Sequence, residues 1–259
     1  MENLSNGAMK YFAIKTPWFT ITVTQSALTI LVSTLILIFL ALFISHRLKK
    51  RPGGFQVVVE KLVNMLYGLV EDTMGKHNLK FAPYIGTLFL SSMLCTILGM
   101  TQILRSATAD LSVTLAWALV TTGMVWFFNI KNFGFFKWLK GFTEPIAVMT
   151  PMNIVSEIAQ PLSLAFRHFG NVAGGGVLTA LIYTALGGLT NIAFGWISGL
   201  VGSIPFLQIG IPAVLSIYFD LFSGFVQALV FSLLTMVYVG AANPPPAEEE
   251  AEATPAENN

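Results

Sequence analysis

Between Pro145 and Ala242 the chain carries three formal charges, Glu157, Arg167 and Asp220, in a stretch otherwise built of apolar and small polar residues. A charged side chain near a bilayer centre costs about 2.5 kcal/mol or more unless it faces protein, water or an opposite charge. The chemistry open to such a set is electrostatic: a guanidinium that holds carboxylates, beside acids and amides that hold water. Asn153, Glu157, Gln160, Ser163, Arg167 and Asn171 follow one another at steps of three and four, which keeps them near one helical face. Ser216, Asp220, Ser223 and Gln227 repeat the pattern further on, with Asp220 and Gln227 about two turns apart. Two such faces can meet and hold water, or can merely join helices as Ser, Asn and Gln do in membranes. For Glu157 and Asp220 the plainer role is to neutralise the arginine.

The small-residue pair Gly170 and Gly174 permits close helix approach, either within this chain or as a smooth face along which another subunit passes. His168 lies about 100° around the helix from Arg167, which favours packing over proton relay.

The elements that must position these residues are membrane spans. With 259 residues, 54% hydrophobic and 10% charged, the chain sits far from the roughly 25% charge of soluble domains and reads as an integral membrane protein. A net charge of +1, with basic residues gathered at span ends, leaves no nucleic-acid footprint. Cys95 is the single cysteine, so neither an internal disulfide nor a cysteine metal site is expected, and no cofactor is. Residues 1–20 show no cleavable signal. Thr24–Ser45 is then a retained first helix of the length a bilayer needs. His46-Arg47-Leu48-Lys49-Lys50-Arg51 closes it on the cytoplasmic side and puts the N-terminus outside.

Residues 55–78 form an amphipathic interfacial helix with Val58, Leu62, Leu66 and Leu69 on its apolar stripe. Tyr84–Leu104 and Leu111–Ile130 are the second and third spans, and Lys131, Lys137 and Lys140 return the chain to the cytoplasm. Asn153–Leu186 is too long to cross upright, about 50 Å at 1.5 Å per residue against about 30 Å of hydrocarbon. It must tilt or break, and Gly187-Gly188 is its natural end. A short apolar piece at Gly195–Pro205 and a last helix at Pro212–Val239 complete an all-α integral membrane protein with about five main spans. Its two long tilted C-terminal helices form a hairpin. Residues 1–242 make one membrane domain, and 243–259, with a proline triplet and five glutamates, a disordered acidic tail on the cytoplasmic side.

At Pro161-Leu162-Ser163-Leu164-Ala165-Phe166-Arg167-His168-Phe169-Gly170-Asn171 the chain resembles subunit a of the F-type ATP synthase membrane sector. The motif there is Pro-x-Ser-Leu-x-x-Arg-x-Phe-Gly-Asn. Residues 107–114, and Gln227-Ala228-Leu229-Val230-Phe231 with Tyr238, resemble two more segments of that family in the same order. The resemblance implies the ion-conducting stator of a rotary synthase in a bacterial inner (plasma) membrane, a non-catalytic translocation subunit. Its partners would be the c-subunit ring, the peripheral-stalk b subunits, the rest of the complex and membrane lipid. Two offset half-channels would carry ions to and from the ring carboxylates, with Arg167 as barrier and partner charge between them. Asn171 and Asp220 would line the outer path, Gln227 would sit across from Arg167, and Glu157 would belong to the cytoplasmic path. Proton is the expected ion and sodium the alternative. The chain departs from the family at Gly176, commonly acidic, at Asp220, at Ser112 and at His168. An aspartate on the last helix stands in for the acid absent at Gly176. No internal repeat points to a secondary transporter, and no H-E-x-x-H or Gly-x-Ser-x-Gly motif to an intramembrane enzyme. A plain structural anchor would carry the arginine at needless cost.

Overall fold

Thr24 closes a short strand and opens the first helix, its Oγ1 accepting the backbone N–H of Ala27 at 3.3 Å as an N-cap. The computed structural model describes residues 10–15, 20–101, 104–144, 146–194 and 217–245. Before the first helix, strands β1 (Lys10–Lys15) and β2 (Thr20–Thr24) pair antiparallel, Lys15 opposite Thr20, with an irregularity between Lys10 and Phe12. This hairpin is an addition to the all-helical expectation. Its strands, Lys-Tyr-Phe-Ala-Ile-Lys and Thr-Ile-Thr-Val-Thr, are rich in aromatic or β-branched residues but too short for their pattern to stand out beside the first span.

Helix α1 covers Gln25–Arg47 and α2 Gly54–Met74. Gly75, at φ +82°, ends α2 in a conformation that favours glycine. A 3-10 stretch, Lys76–Phe81, leads into α3 (Ala82–Met100). Asp110 caps α4 (Leu111–Phe133), its Oδ1 accepting the N–H of Ser112 at 3.0 Å. Gly134, at φ +85°, separates α4 from the short α5 (Phe135–Gly141). Then comes α6, Thr150–Phe194, 45 residues with Pro161 inside it. A π-helical turn, Ile217–Phe222, precedes α7 (Ser223–Ala242). Among the described residues, five helical stretches are long and apolar enough to span a membrane, Thr150–Thr190 being one of them.

The expected stop at Gly187-Gly188 is overturned, because α6 runs on to Phe194. Each glycine weakens a helix by only about 1 kcal/mol, whereas backbone groups left unpaired in an apolar medium cost several kcal/mol each. The segment expected at Gly195–Pro205 and the start of the last helix at Pro212 lie outside the described residues.

The chain divides into two compact units, each assembled from parts of several helices. One comprises Met1–Leu37, Leu90–Thr114 and Ala165–Leu229, the other Ile38–Phe89, Leu115–Leu164 and Val230–Asn259. In the second, Val70 and Met74 of α2, Ile85 of α3, Val125 of α4, and Met236 and Val239 of α7 form an apolar core. Phe81 meets Phe128 edge-on at 5.3 Å. Among lipid tails as apolar as leucine such packing gains mainly van der Waals contact, so close fit and hydrogen bonds decide stability.

Where α7 ends, that fit becomes a polar knot. The carbonyl of Asn243 accepts from His77 Nε2 at 2.7 Å and from Asn78 Nδ2 at 3.0 Å. Its side chain donates to Asn78 Oδ1 at 2.6 Å and accepts from Asn132 Nδ2 at 2.9 Å.

The first unit has a different interior. Ser26, Thr29 and Ser33 of α1, Ser92 and Thr96 of α3, Thr108, Thr114, and His168 and Gln227 of the long helices are all buried. Thr29 Oγ1 lies 2.8 Å from the carbonyl of Arg105, and Cys95 Sγ donates to Ser33 Oγ at 3.5 Å. Glycines set the closest approaches. A Cβ on Gly99 would fall 2.9 Å from the Cα of Ser106 and 3.0 Å from its nitrogen, whereas in the second unit one on Gly86 would meet only the Leu66 side chain, at 2.6 Å. Gly99→Ala should therefore cost about 1–3 kcal/mol, the usual range for overpacking against atoms that cannot step aside. Gly86→Ala should cost less, since a leucine tip can turn. Thermal inactivation of the two purified variants against wild type checks the order.

Candidate functional site

Two stripes of opposite character run along α6. Pro161, Leu164, His168, Gly175 and Thr190 are buried on one side, while Ser163, Arg167, Gly170, Gly174, Val177 and Leu181 are exposed on the other. The spacing of four, three, four, three and four makes the exposed set one face of the helix. Arg167 stands in the middle of that run. Among the described residues it has no carboxylate within ion-pair distance, the one such pair being Lys76 with Glu71 at 3.7 Å. The Glu157 carboxylate, half-buried, accepts the indole N–H of Trp126. No spacing or motif announces Trp126 as a partner, since it is one apolar residue among many on α4.

His168 explains how α6 keeps this orientation. It is 1% exposed, and its Nε2 lies 3.1 Å from Ser92 Oγ of α3. The side chain next to the arginine thus ties the opposite face to a neighbouring helix, as the 100° offset predicts.

One turn beyond Arg167, Asn171 Nδ2 donates to Gln227 Oε1 at 2.7 Å. Gln227 is 2% exposed, and among the described residues its Nε2 has no hydrogen-bond acceptor. A buried amide donor without a partner costs about 1–3 kcal/mol unless water fills its place. Water has room nearby: a cavity of about 350 Å³ is lined by Gly170, Asn171, Gly174, Leu178, Tyr218, Phe222, Ser223 and Val226. Its aromatic walls Tyr218 and Phe222 stack at 5.5 Å. They belong to the π-helical turn, which no sequence periodicity announces.

The remaining candidates separate. Asn153 donates to the carbonyls of Phe142 at 2.8 Å and Glu144 at 3.1 Å, so it ties the loop before α6 to the helix. Ser223 lines the cavity. Asp220 lies in the π-helical turn, its side chain outside the described residues, as all of Ser216 is. A Cβ at Gly170, Gly174 or Gly176 would meet nothing within 4 Å among the described residues. Close packing within the described chain therefore does not explain these glycines.

Five spans and a charged face on one very long helix define a polytopic helical membrane protein with an outward-facing cationic site. Residues 27–240 match the ATP synthase A chain family, and the chain belongs to that family. It is 34% identical to the sodium-ion-specific ATP synthase subunit a of Propionigenium modestum, over 85% of this chain and 74% of that one. It is 32% identical to ATP synthase subunit a of Enterococcus hirae, over 88% and 94%, and 32% to ATP synthase subunit a 1 of Crocosphaera subtropica, over 82% and 85%. The family supplies the ion-translocating part of the F-type synthase, not its catalytic part, and the chain acts within that complex. Bacterial relatives and apolar spans make it a protein of a bacterial plasma membrane.

Proposed function

We propose that this chain is the stator face against which the ring of c subunits turns, with two offset half-channels that meet the ring on either side of Arg167. The observation that carries the reading is the exposed arginine, set among glycines and without a carboxylate partner among the described residues. Such a cation is stable in a membrane where water reaches it or a partner chain brings an anion. A guanidinium suits the position because it stays protonated at any physiological pH, attracting an ionised ring carboxylate without passing a proton itself.

The outer half-channel takes in the cavity beside Asn171 and Gln227, with Asp220 in place of the acid absent at Gly176. Glu157, held by Trp126, belongs to the cytoplasmic path. Residues 1–242 act as one membrane domain, with the N-terminus outside and the C-terminal tail in the cytoplasm. The b subunits of the peripheral stalk hold the chain against rotation. The coupling ion is the proton. Sodium is the second reading, favoured by the sodium-specific relative, although the ligands that choose between them belong chiefly to the ring.

Cysteine cross-linking tests the stator face in the assembled complex, with native Cys95 replaced by serine. Cysteines at Ser163, Gly170 and Gly174 are expected to form disulfides with cysteines on the outer ring helices, and one at buried Ala165 is not. Cross-links from Ala165 alone would overturn the assignment of the face. Sodium dependence of ATP hydrolysis by the same complex decides the ion: no activation supports the proton, and saturable activation supports sodium.

A further inference from the structure

The turn between α1 and α2 holds a concavity of about 360 Å³, walled by Phe43, Arg47, Lys49, Gly53, Phe55 and Gln56. We propose that it binds the phosphate headgroup of an anionic phospholipid whose acyl chains lie along the exposed apolar sides of α1 and α2. This inference rests on the spans and on the pocket, and does not depend on the half-channel reading.

Three features converge there. The first is unspent positive charge. The Arg47 guanidinium stands 4.8 Å from the centre of the Phe43 ring, and neither Arg47 nor Lys49 has a carboxylate within 4.0 Å among the described residues. Glu60, the acid one turn along α2 from the pocket, is engaged by Gln56 Nε2 at 2.7 Å. A guanidinium fork and an ammonium are the donors that phosphate oxygens take best.

The second is a turn held in shape. Gln56 Oε1 accepts the backbone N–H of Lys49 at 3.0 Å, and Gln56 Nε2 donates to the Lys49 carbonyl at 3.1 Å. This two-point clasp fixes the backbone from which Lys49 reaches. A cluster that served only to orient the first span would need charge alone.

The third is the apolar approach. Phe39 and Leu42 of α1 and Phe55, Val58 and Leu62 of α2 are exposed. Free phosphate has no use for such surface, whereas a phospholipid carries an anion and two chains in one molecule. A basic cluster just beyond a membrane span is also where anionic headgroups collect.

The test uses the assembled complex in phosphatidylcholine nanodiscs containing a small fraction of photoactivatable phosphatidylglycerol, with cross-linked peptides mapped by mass spectrometry. Labelling is expected within residues 39–62, and the Arg47→Gln/Lys49→Gln pair should lower it by about tenfold or more, as two lost surface cations imply. Lys50→Gln/Arg51→Gln removes the same charge outside the pocket and should lower it far less. Gln56→Ala keeps every positive charge, so insertion is undisturbed, and should lower labelling several-fold by releasing the turn. Inorganic phosphate at millimolar concentration should not compete. Equal losses in the two charge pairs, equal labelling by a phosphatidylcholine probe, competition by inorganic phosphate, or cross-links from these residues to a stalk subunit instead would each overturn the proposal.

Discussion

Arg167→Ala, in complexes assembled to the wild-type level, is expected to abolish ATP-driven ion pumping into vesicles. The neutral helix face would leave an ionised ring carboxylate to cross an apolar contact without a counter-charge, at a cost of about 2.5 kcal/mol or more. That penalty alone slows each passage by roughly sixtyfold, since 1.4 kcal/mol is a factor of ten. Loss of the barrier compounds it. Each charge falling through 100 mV releases about 2.3 kcal/mol, and ions able to slip between the half-channels would dissipate that energy as leak.

Arg167→Lys should restore little, because an ammonium desolvated against the ring can give up its proton. Pumping measured by a pH-sensitive dye, or by tracer sodium if sodium is the ion, checks both variants. Passive conductance of the membrane sector alone reports the leak. Coupled pumping by a fully assembled Arg167→Ala complex would remove the arginine from the mechanism.

The second large effect is expected at Gln227. Replacement by leucine nearly preserves volume but leaves Asn171 Nδ2 without the acceptor it has at 2.7 Å, and puts an alkyl group where a buried amide stood. Asn171 is itself exposed and can take water instead, so the loss falls on the path: an alkyl wall beside it dries the passage and slows ion entry. Pumping should fall by about tenfold or more. Asn171→Leu should fall comparably, and the double variant should be little worse than either single one, because partners in one hydrogen bond are lost together. Additive losses would mean that the two amides act at separate points of the path.

Much of this was legible in the residue pattern. The first three spans are legible to within a few residues because apolar runs of bilayer length, bounded by basic clusters, admit few other readings. The arginine stood out for the same reason: in so apolar a stretch each charge is visible. Local rules failed where the medium overrode them. Gly187-Gly188 would stop a helix in water, yet α6 continues through it. Partners across helices were not legible either. No spacing joins Trp126 to Glu157 or Ser92 to His168, because such pairs depend on how helices lie beside one another. The π-helical turn before α7 was hidden too, although it supplies Tyr218 and Phe222 to the cavity wall.

The length of α6 bears on timing. From Ser163 to Leu181 its exposed face extends about 27 Å along the axis at 1.5 Å per residue, more than two helix diameters. A helix too long to stand upright must lie aslant. If the proposed ring turns against this face, neighbouring ring helices would meet it at different heights in the same instant, one carboxylate approaching the glycine turns while the next is leaving Arg167. Rotation would then be an overlapping hand-over rather than a series of separate contacts.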